Sequence, residues 1–159
     1  MILSLLIIAL SVLLDQVSKY LVLKNIPMYE NVPVLDGVFH FTYVENKGAA
    51  FGMLSDARWV FMVISVVAIA AFIIYLIKWK PKNMLLKVSL SMIIGGGIGN
   101  MIDRVMRQSV VDFIEVEFMQ FAIFNVADIF VCVGCGLMML YVILSEIEES
   151  KKKKVSANE

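Results

Sequence analysis

The chain has 159 residues, of which 60% are hydrophobic and 18% charged. A water-soluble domain of this length rarely carries so much apolar side chain, so the composition points to an integral membrane protein. Its 14 basic residues balance its 14 acidic ones, which gives no reason to expect nucleic acid as a partner.

Four apolar runs approach the ~20 residues that a helical span needs: Ile2–Leu23, Trp59–Ile77, Leu85–Val105 and Phe124–Leu144. They predict an all-α polytopic membrane protein, with one membrane domain over residues 1–150 and a basic tail over 151–159. The first run lacks the basic leader and small-x-small site of a cleaved signal peptide and continues through "DQVSKYLVL", so it reads as a retained span. Within it, Asp15 and Lys19 share a helix face and are placed to neutralise each other.

Residues 24–58 make a long connector, and long connectors usually have work to do. The stretch "GVFHFTYVENKGAAFG" opens with strict alternation, Phe39, Phe41 and Tyr43 against Val38, His40 and Thr42. That predicts a strand of a small sheet with its aromatics toward the bilayer interface. His40 is expected to be a strand residue rather than a ligand. The small residues of "NKGAAFG" would let backbone or substrate approach closely.

Lys78, Lys80, Lys82 and Lys87 crowd the next connection, and Lys151 to Lys154 fill the tail. The other two loops hold only Lys24, Lys47, Arg58, Arg104 and Arg107 over many more residues. The positive-inside rule then puts both termini in the cytoplasm, and the tail reads as a solvated, disordered charge run.

In the third run, "GGGIGN" is only superficially a phosphate loop, since no strand precedes it. Gly95 and Gly99 have the spacing of a close helix–helix contact. Asp103 and Arg104 follow and are expected to pair, with the arginine reaching outward. "VVDFIEVEFMQF" then predicts a second alternating strand with Asp112 at its start and Glu115 and Glu117 facing water. The fourth run begins "FNVAD", with Asn125 and Asp128, and continues through Cys132 and Cys135. No second ligand pair accompanies these cysteines, so they read as small packing residues beside Gly134 and Gly136, with no metal or cofactor implied.

Helical rise of ~1.5 Å per residue sets Asp15 roughly 20 Å along an outward-running first span. Asp103 and Asp128 also fall near the outer ends of their spans. Three intramembrane acids in one leaflet are a functional signal, although Asp128 would also suit a helix N-terminus. A proton or cation transporter would spread its acids over both leaflets and often repeat its sequence, which this chain does not. An assembly factor using the glycine-rich span as a binding face would leave Asp112 and Asp128 without a purpose.

Together "DQVSK", "NKGAAFG", "GGGIGNMIDR", "VVDF" and "FNVAD", in this order along four spans, resemble the lipoprotein signal peptidase (signal peptidase II) family over essentially the whole chain. The resemblance implies an aspartyl endopeptidase of the bacterial inner membrane, without metal or cofactor and expected to act as a monomer. Its substrates would be prolipoproteins carrying diacylglyceryl on a cysteine, cut on the N-terminal side of that residue. It implies Asp112 and Asp128 as the catalytic pair, with Asp15, Asn46, Asn100, Asp103, Arg104 and Asn125 in support.

Such chemistry suits two carboxylates, one activating water and one holding a proton for the carbonyl oxygen. For Asp112 and Asp128 to meet, the segment between them must double back. Asn125 is expected on the same helical face as Asp128, and Asp103 and Arg104 as a charged pair positioning a loop. An extended substrate in lipid also needs cover, which the aromatic strand and the "NKGAAFG" loop are placed to give.

Overall fold

A computed structural model describes residues 1–48 and 58–156. Its helices are α1 (Ile2–Asn25), α2 (Arg58–Trp79), α3 (Met84–Met106) and α4 (Val126–Ser156). Its strands are β1 (Asn31–Leu35), β2 (Phe39–Asn46) and β3 (Val110–Val116), one antiparallel sheet in the order β1-β2-β3. All four helices are long and apolar enough to cross a membrane. Residues 49–52 of "NKGAAFG" lie outside the described residues.

Helix α3 is central, and its glycines explain how closely the bundle closes. A Cβ on Gly95 would lie 2.6 Å from Ser11 Cβ of α1, and one on Gly99 would lie 2.5 Å from the Asp15 carboxylate. On other sides, Gly96 meets the Ala127 backbone of α4 and Gly97 the Ile69 side chain of α2. Without an attraction between apolar helices beyond what lipid offers, close backbone approach and polar contacts must hold them together. The glycine-rich face is therefore used up inside the molecule, which removes the assembly-factor reading. Leu86, Leu90 and Ile94 of α3 form a buried cluster with Leu76 of α2. Ser11 and Ser91 return their hydroxyls to carbonyls four residues back, which keeps these groups satisfied away from water.

Several expectations need correction. The described part of the tail is helical rather than disordered: α4 runs on to Ser156, carried by i,i+4 pairs Glu148–Lys152 (2.8 Å) and Glu149–Lys153 (2.9 Å). The alternation of acids and lysines at helical spacing favours the helix that the charge density alone argues against. Cys132 and Cys135 are exposed, and Gly134 makes the close contact instead, since a Cβ there would sit 2.7 Å from Ile93. Glu115 does not simply face water. It stands opposite His40 across the β2–β3 ladder, with His40 Nε2 2.9 Å from its Oε2. The exposed Glu117 carboxylate accepts the Gly37 N–H, closing the β1–β2 turn, where Gly37 takes a positive φ of 74°.

The predicted strands are present, but a register shift between Phe41 and Val44 changes where the aromatics go. Phe41 and Tyr43 turn in against the end of α1 and pack with Val22, Val111 and Phe113 rather than facing outward. The sheet is thus seated on α1 and holds β3 over the junction of α1, α3 and α4.

Candidate active site

At that junction lies a layer of buried polar side chains, built outward from α1. Lys19, 1% exposed, is its hub. Its Nζ lies 2.9 Å from Asp15 Oδ2 and 2.9 Å from Asp103 Oδ2, and donates to Asn100 Oδ1 at 2.9 Å. Asp15 also accepts the backbone N–H of Ala127 (3.0 Å), one of the orphan donors at the start of α4. Asp103 also accepts the N–H of Val111 (3.3 Å), fixing β3 to α3. Gln16 adds donations to Asp15 (3.0 Å) and to the Gly99 carbonyl (3.1 Å).

Asn100 leads from this cluster to the next. Its amide NH2 donates to Asp128 Oδ1 at 2.8 Å. Asn125 precedes the first residue of α4 rather than sharing a helical face with Asp128, as expected from spacing alone. Its Oδ1 accepts the Asp128 N–H and its own N–H donates to Asp128 Oδ2, each at 3.1 Å, a reciprocal capping box. The same Asn125 side chain donates to Asp112 Oδ1 at 2.6 Å, and Asn46 donates to Asp112 Oδ2 at 2.8 Å. The chain between the two acids does double back, with Ile114 bridging Phe124.

Asp112 and Asp128 both border one cavity of about 500 Å³, together with Asn46, Asn100 and Arg104. The opposite wall is apolar, formed by residues 121–124 and by Ile129 and Val133 of α4. Among the described residues, no cation stands within ion-pair distance of either carboxylate, and their donors are amides. Burial, first of all, pushes the Asp112 carboxyl up to about 6; the hydrogen bond from Asn46 opposes this and the charge of Asp128 adds to it. No three His, Cys, Asp or Glu side chains gather as metal ligands do among the described residues.

Every residue singled out from sequence borders this layer, but Asp103 and Arg104 do not pair. Asp103 turns toward Lys19, whereas Arg104 turns to the cavity, its Nη1 3.5 Å from the Asn100 carbonyl. Adjacent helical positions point about 100° apart, so one pairing excludes the other. Arg107, one turn on, approaches Asp103 instead, at 3.7 Å. Sequence reasoning gave Lys19 only the neutralising of Asp15 and passed over Gln16. The usable signal for Lys19 was its depth, since a lysine inside a span needs more than one oxygen partner.

A membrane bundle that holds two aspartates on one cavity, Asp112 buried and Asp128 half-buried, belongs with the membrane-bound aspartic peptidases. The profile of the family described as Signal peptidase (SPase) II matches residues 7–144, and the chain belongs to that family. It is 42% identical over 139 residues to the lipoprotein signal peptidase of Brevibacillus brevis, covering 87% of this chain and 93% of that one. To the lipoprotein signal peptidase of Bacillus pumilus it is 44% identical over 145 residues, covering 90% and 91%. Two solved bacterial membrane enzymes share its fold. One has a TM-score of 0.85 at 32% identity, covering 90% of this chain and 88% of that chain; the other has 0.81 at 33%, covering 87% and 91%.

Proposed function

We propose that this chain removes the signal peptide from diacylglyceryl-modified prolipoproteins, cutting on the N-terminal side of the lipidated cysteine, with Asp112 and Asp128 as the catalytic pair. The observation that carries this reading is the pair's setting: two carboxylates on one half-apolar cavity, each held, among the described residues, by neutral amides. Two acids so placed cannot both ionise cheaply and share one proton.

Asp112, whose proton is held up to about 6, is the natural acid. Asp128 then takes a proton from water as the hydroxide oxygen bonds to the scissile carbonyl carbon, and Asp112 protonates the carbonyl oxygen. On collapse the C–N bond breaks, the Asp128 proton goes to the leaving nitrogen, and a proton of the gem-diol returns to Asp112. Asn46, Asn100 and Asn125 hold the two carboxyls in place. Asp15 and Asp103 act through Lys19 as positioning residues, and Arg104 faces the substrate.

The lysines at the α2–α3 connection and in the tail support an orientation with both termini in the cytoplasm. In that orientation the sheet and the cavity lie on the extracytoplasmic side, residues 1–150 form the peptidase unit, and 151–159 are cytoplasmic. The apolar wall of the cavity gives the signal peptide and its lipid a surface of their own chemistry.

The test is cleavage of a diacylglyceryl-modified prolipoprotein peptide by reconstituted protein. Wild type should cleave, while Asp112→Asn and Asp128→Asn should each fall by at least about a thousandfold with their helical spectra intact. Substantial cleavage by either folded variant would remove that residue from the chemistry.

A further inference from the structure

The end of the bundle away from the catalytic cavity holds a second, smaller cavity of about 150 Å³ between the start of α1, the end of α2 and the start of α3. Lys80, Lys87 and Ser4 supply its polar lining, and Met1, Leu76 and Pro81 the rest. Ser4 is 3% exposed, yet its hydroxyl makes no hydrogen bond among the described residues. Lys87 is half-buried, and no carboxylate lies within ion-pair distance of Lys78, Lys80, Lys82 or Lys87 among the described residues. A charge withdrawn from water without a counter-charge is costly.

Two features of the backbone focus the site further. Helix α3 starts here with no acidic residue in its first turn; the neutral Asn83 side chain caps the Leu86 N–H, and no side-chain charge in that turn offsets the positive end of the dipole. Lys80 takes a φ of +43°, a conformation a side-chain-bearing residue adopts at a cost and which clusters at ligand sites. Its neighbour Trp79 is exposed, stacked on Tyr75 at 5.3 Å, with Lys78 5.0 Å from its ring. Exposed tryptophan beside lysine at the end of a span marks the level of lipid headgroups.

We infer that this cavity binds the phosphodiester headgroup of one anionic phospholipid, with Lys80 and Lys87 on the phosphate oxygens and the Ser4 hydroxyl donating to them. A lipid fits better than a soluble phosphate because Trp79, exposed and next to Lys80 in the chain, sets this end of the bundle at the headgroup level. The site takes no part in the proposed cleavage, so its test does not depend on that reading.

Native mass spectrometry of the detergent-solubilised full chain, titrated with phosphatidylglycerol or phosphatidylcholine, reads the binding directly. Wild type should retain one phosphatidylglycerol in preference to phosphatidylcholine. Lys80→Gln should weaken this about fivefold, and Lys80→Gln with Lys87→Gln roughly thirtyfold. Ser4→Ala should also weaken it, while Lys80→Arg with Lys87→Arg should retain it. Lys152→Gln with Lys153→Gln, which removes equal charge from the end of α4, should leave it unchanged. Because Lys80 is exposed, its single variant remains informative even if the double variant fails to fold. Equal retention of the two lipids, or wild-type retention by Lys80→Gln, would overturn the site. Displacement of bound phosphatidylglycerol by millimolar inorganic phosphate would overturn its assignment to lipid.

Discussion

Two pairs of acids, all buried but the half-buried Asp128, share one polar layer, and they are solvated in opposite ways. Asp15 and Asp103 flank Lys19, each 2.9 Å from its ammonium, with Arg107 reaching Asp103 from the rim. Asp112 and Asp128 receive amide hydrogens from Asn46, Asn100 and Asn125 and, among the described residues, have no cation at ion-pair distance. The shared ammonium fixes the first pair in place, where Asp15 holds the start of α4 through Ala127 and Asp103 holds β3 through Val111. Amides carry no net charge to offset the second pair, and under the proposed mechanism a shared proton does so. Asn100 touches both clusters, so the rigidity of the first is passed to the second.

The sharpest way to break this contrast is to remove the shared cation. Lys19→Met leaves Asp15 and Asp103 facing each other across a buried gap, and losing one partner of such a cluster costs about 3–5 kcal/mol. The expected outcome is a large fall in the midpoint of unfolding by denaturing detergent, with activity lost through the fold. Asp112→Asn should unfold near the wild-type midpoint while losing cleavage. Adding Asp15→Asn to Lys19→Met should recover part of the stability, because the uncompensated charge is then reduced. A Lys19→Met protein as stable as wild type would mean that the first cluster has no structural role.

Gly99→Ala probes the same cluster more gently. The new methyl would lie 2.5 Å from the Asp15 carboxylate, so Asp15 must shift and loosen its hold on the Ala127 N–H. Overpacking of this kind costs about 1–3 kcal/mol. Gly136→Ala, where nothing lies within 4 Å, is the matched control and should be neutral or slightly stabilising. Equal effects at the two glycines, read from the same unfolding midpoints, would show that the close approach at Gly99 is incidental.

How much of this was readable from sequence follows from the range of each interaction. The spans, the two strands around Phe41 and Asp112 and the Gly95–Gly99 contact are written in local periodicity, and the structure has all of them. β1 escaped notice because "NVPVL" is short, lies at the sheet edge and is exposed throughout. The candidate site residues were found, but their pairings were not. Asp103 and Arg104 are neighbours in sequence, and only the position of α1 decides that the acid turns to Lys19 and the arginine to the cavity. Asn125 as cap and bridge at once was similarly beyond spacing. The capping pattern N-x-x-D is local, but its third contact, with Asp112, depends on how β3 folds back.

The smallest expected effect tests the amide-held pair from the outside. Asn46 donates to Asp112 Oδ2 and so stabilises the charged form of that carboxyl, opposing the burial that pushes it up to about 6. Asn46→Ala removes the opposition, leaving burial and the charge of Asp128 to hold the proton on Asp112 to higher pH. The reaction needs that proton on the acid, so the alkaline limb of kcat/KM against pH should move upward. A hydrogen bond to a charged group is worth enough to move it by about one pH unit. Some loss of maximal rate should accompany this, since Asp112 also loses a support. A limb that stays in place, or moves down, would mean that Asp112 is not the proton holder and that the roles of the two acids are reversed.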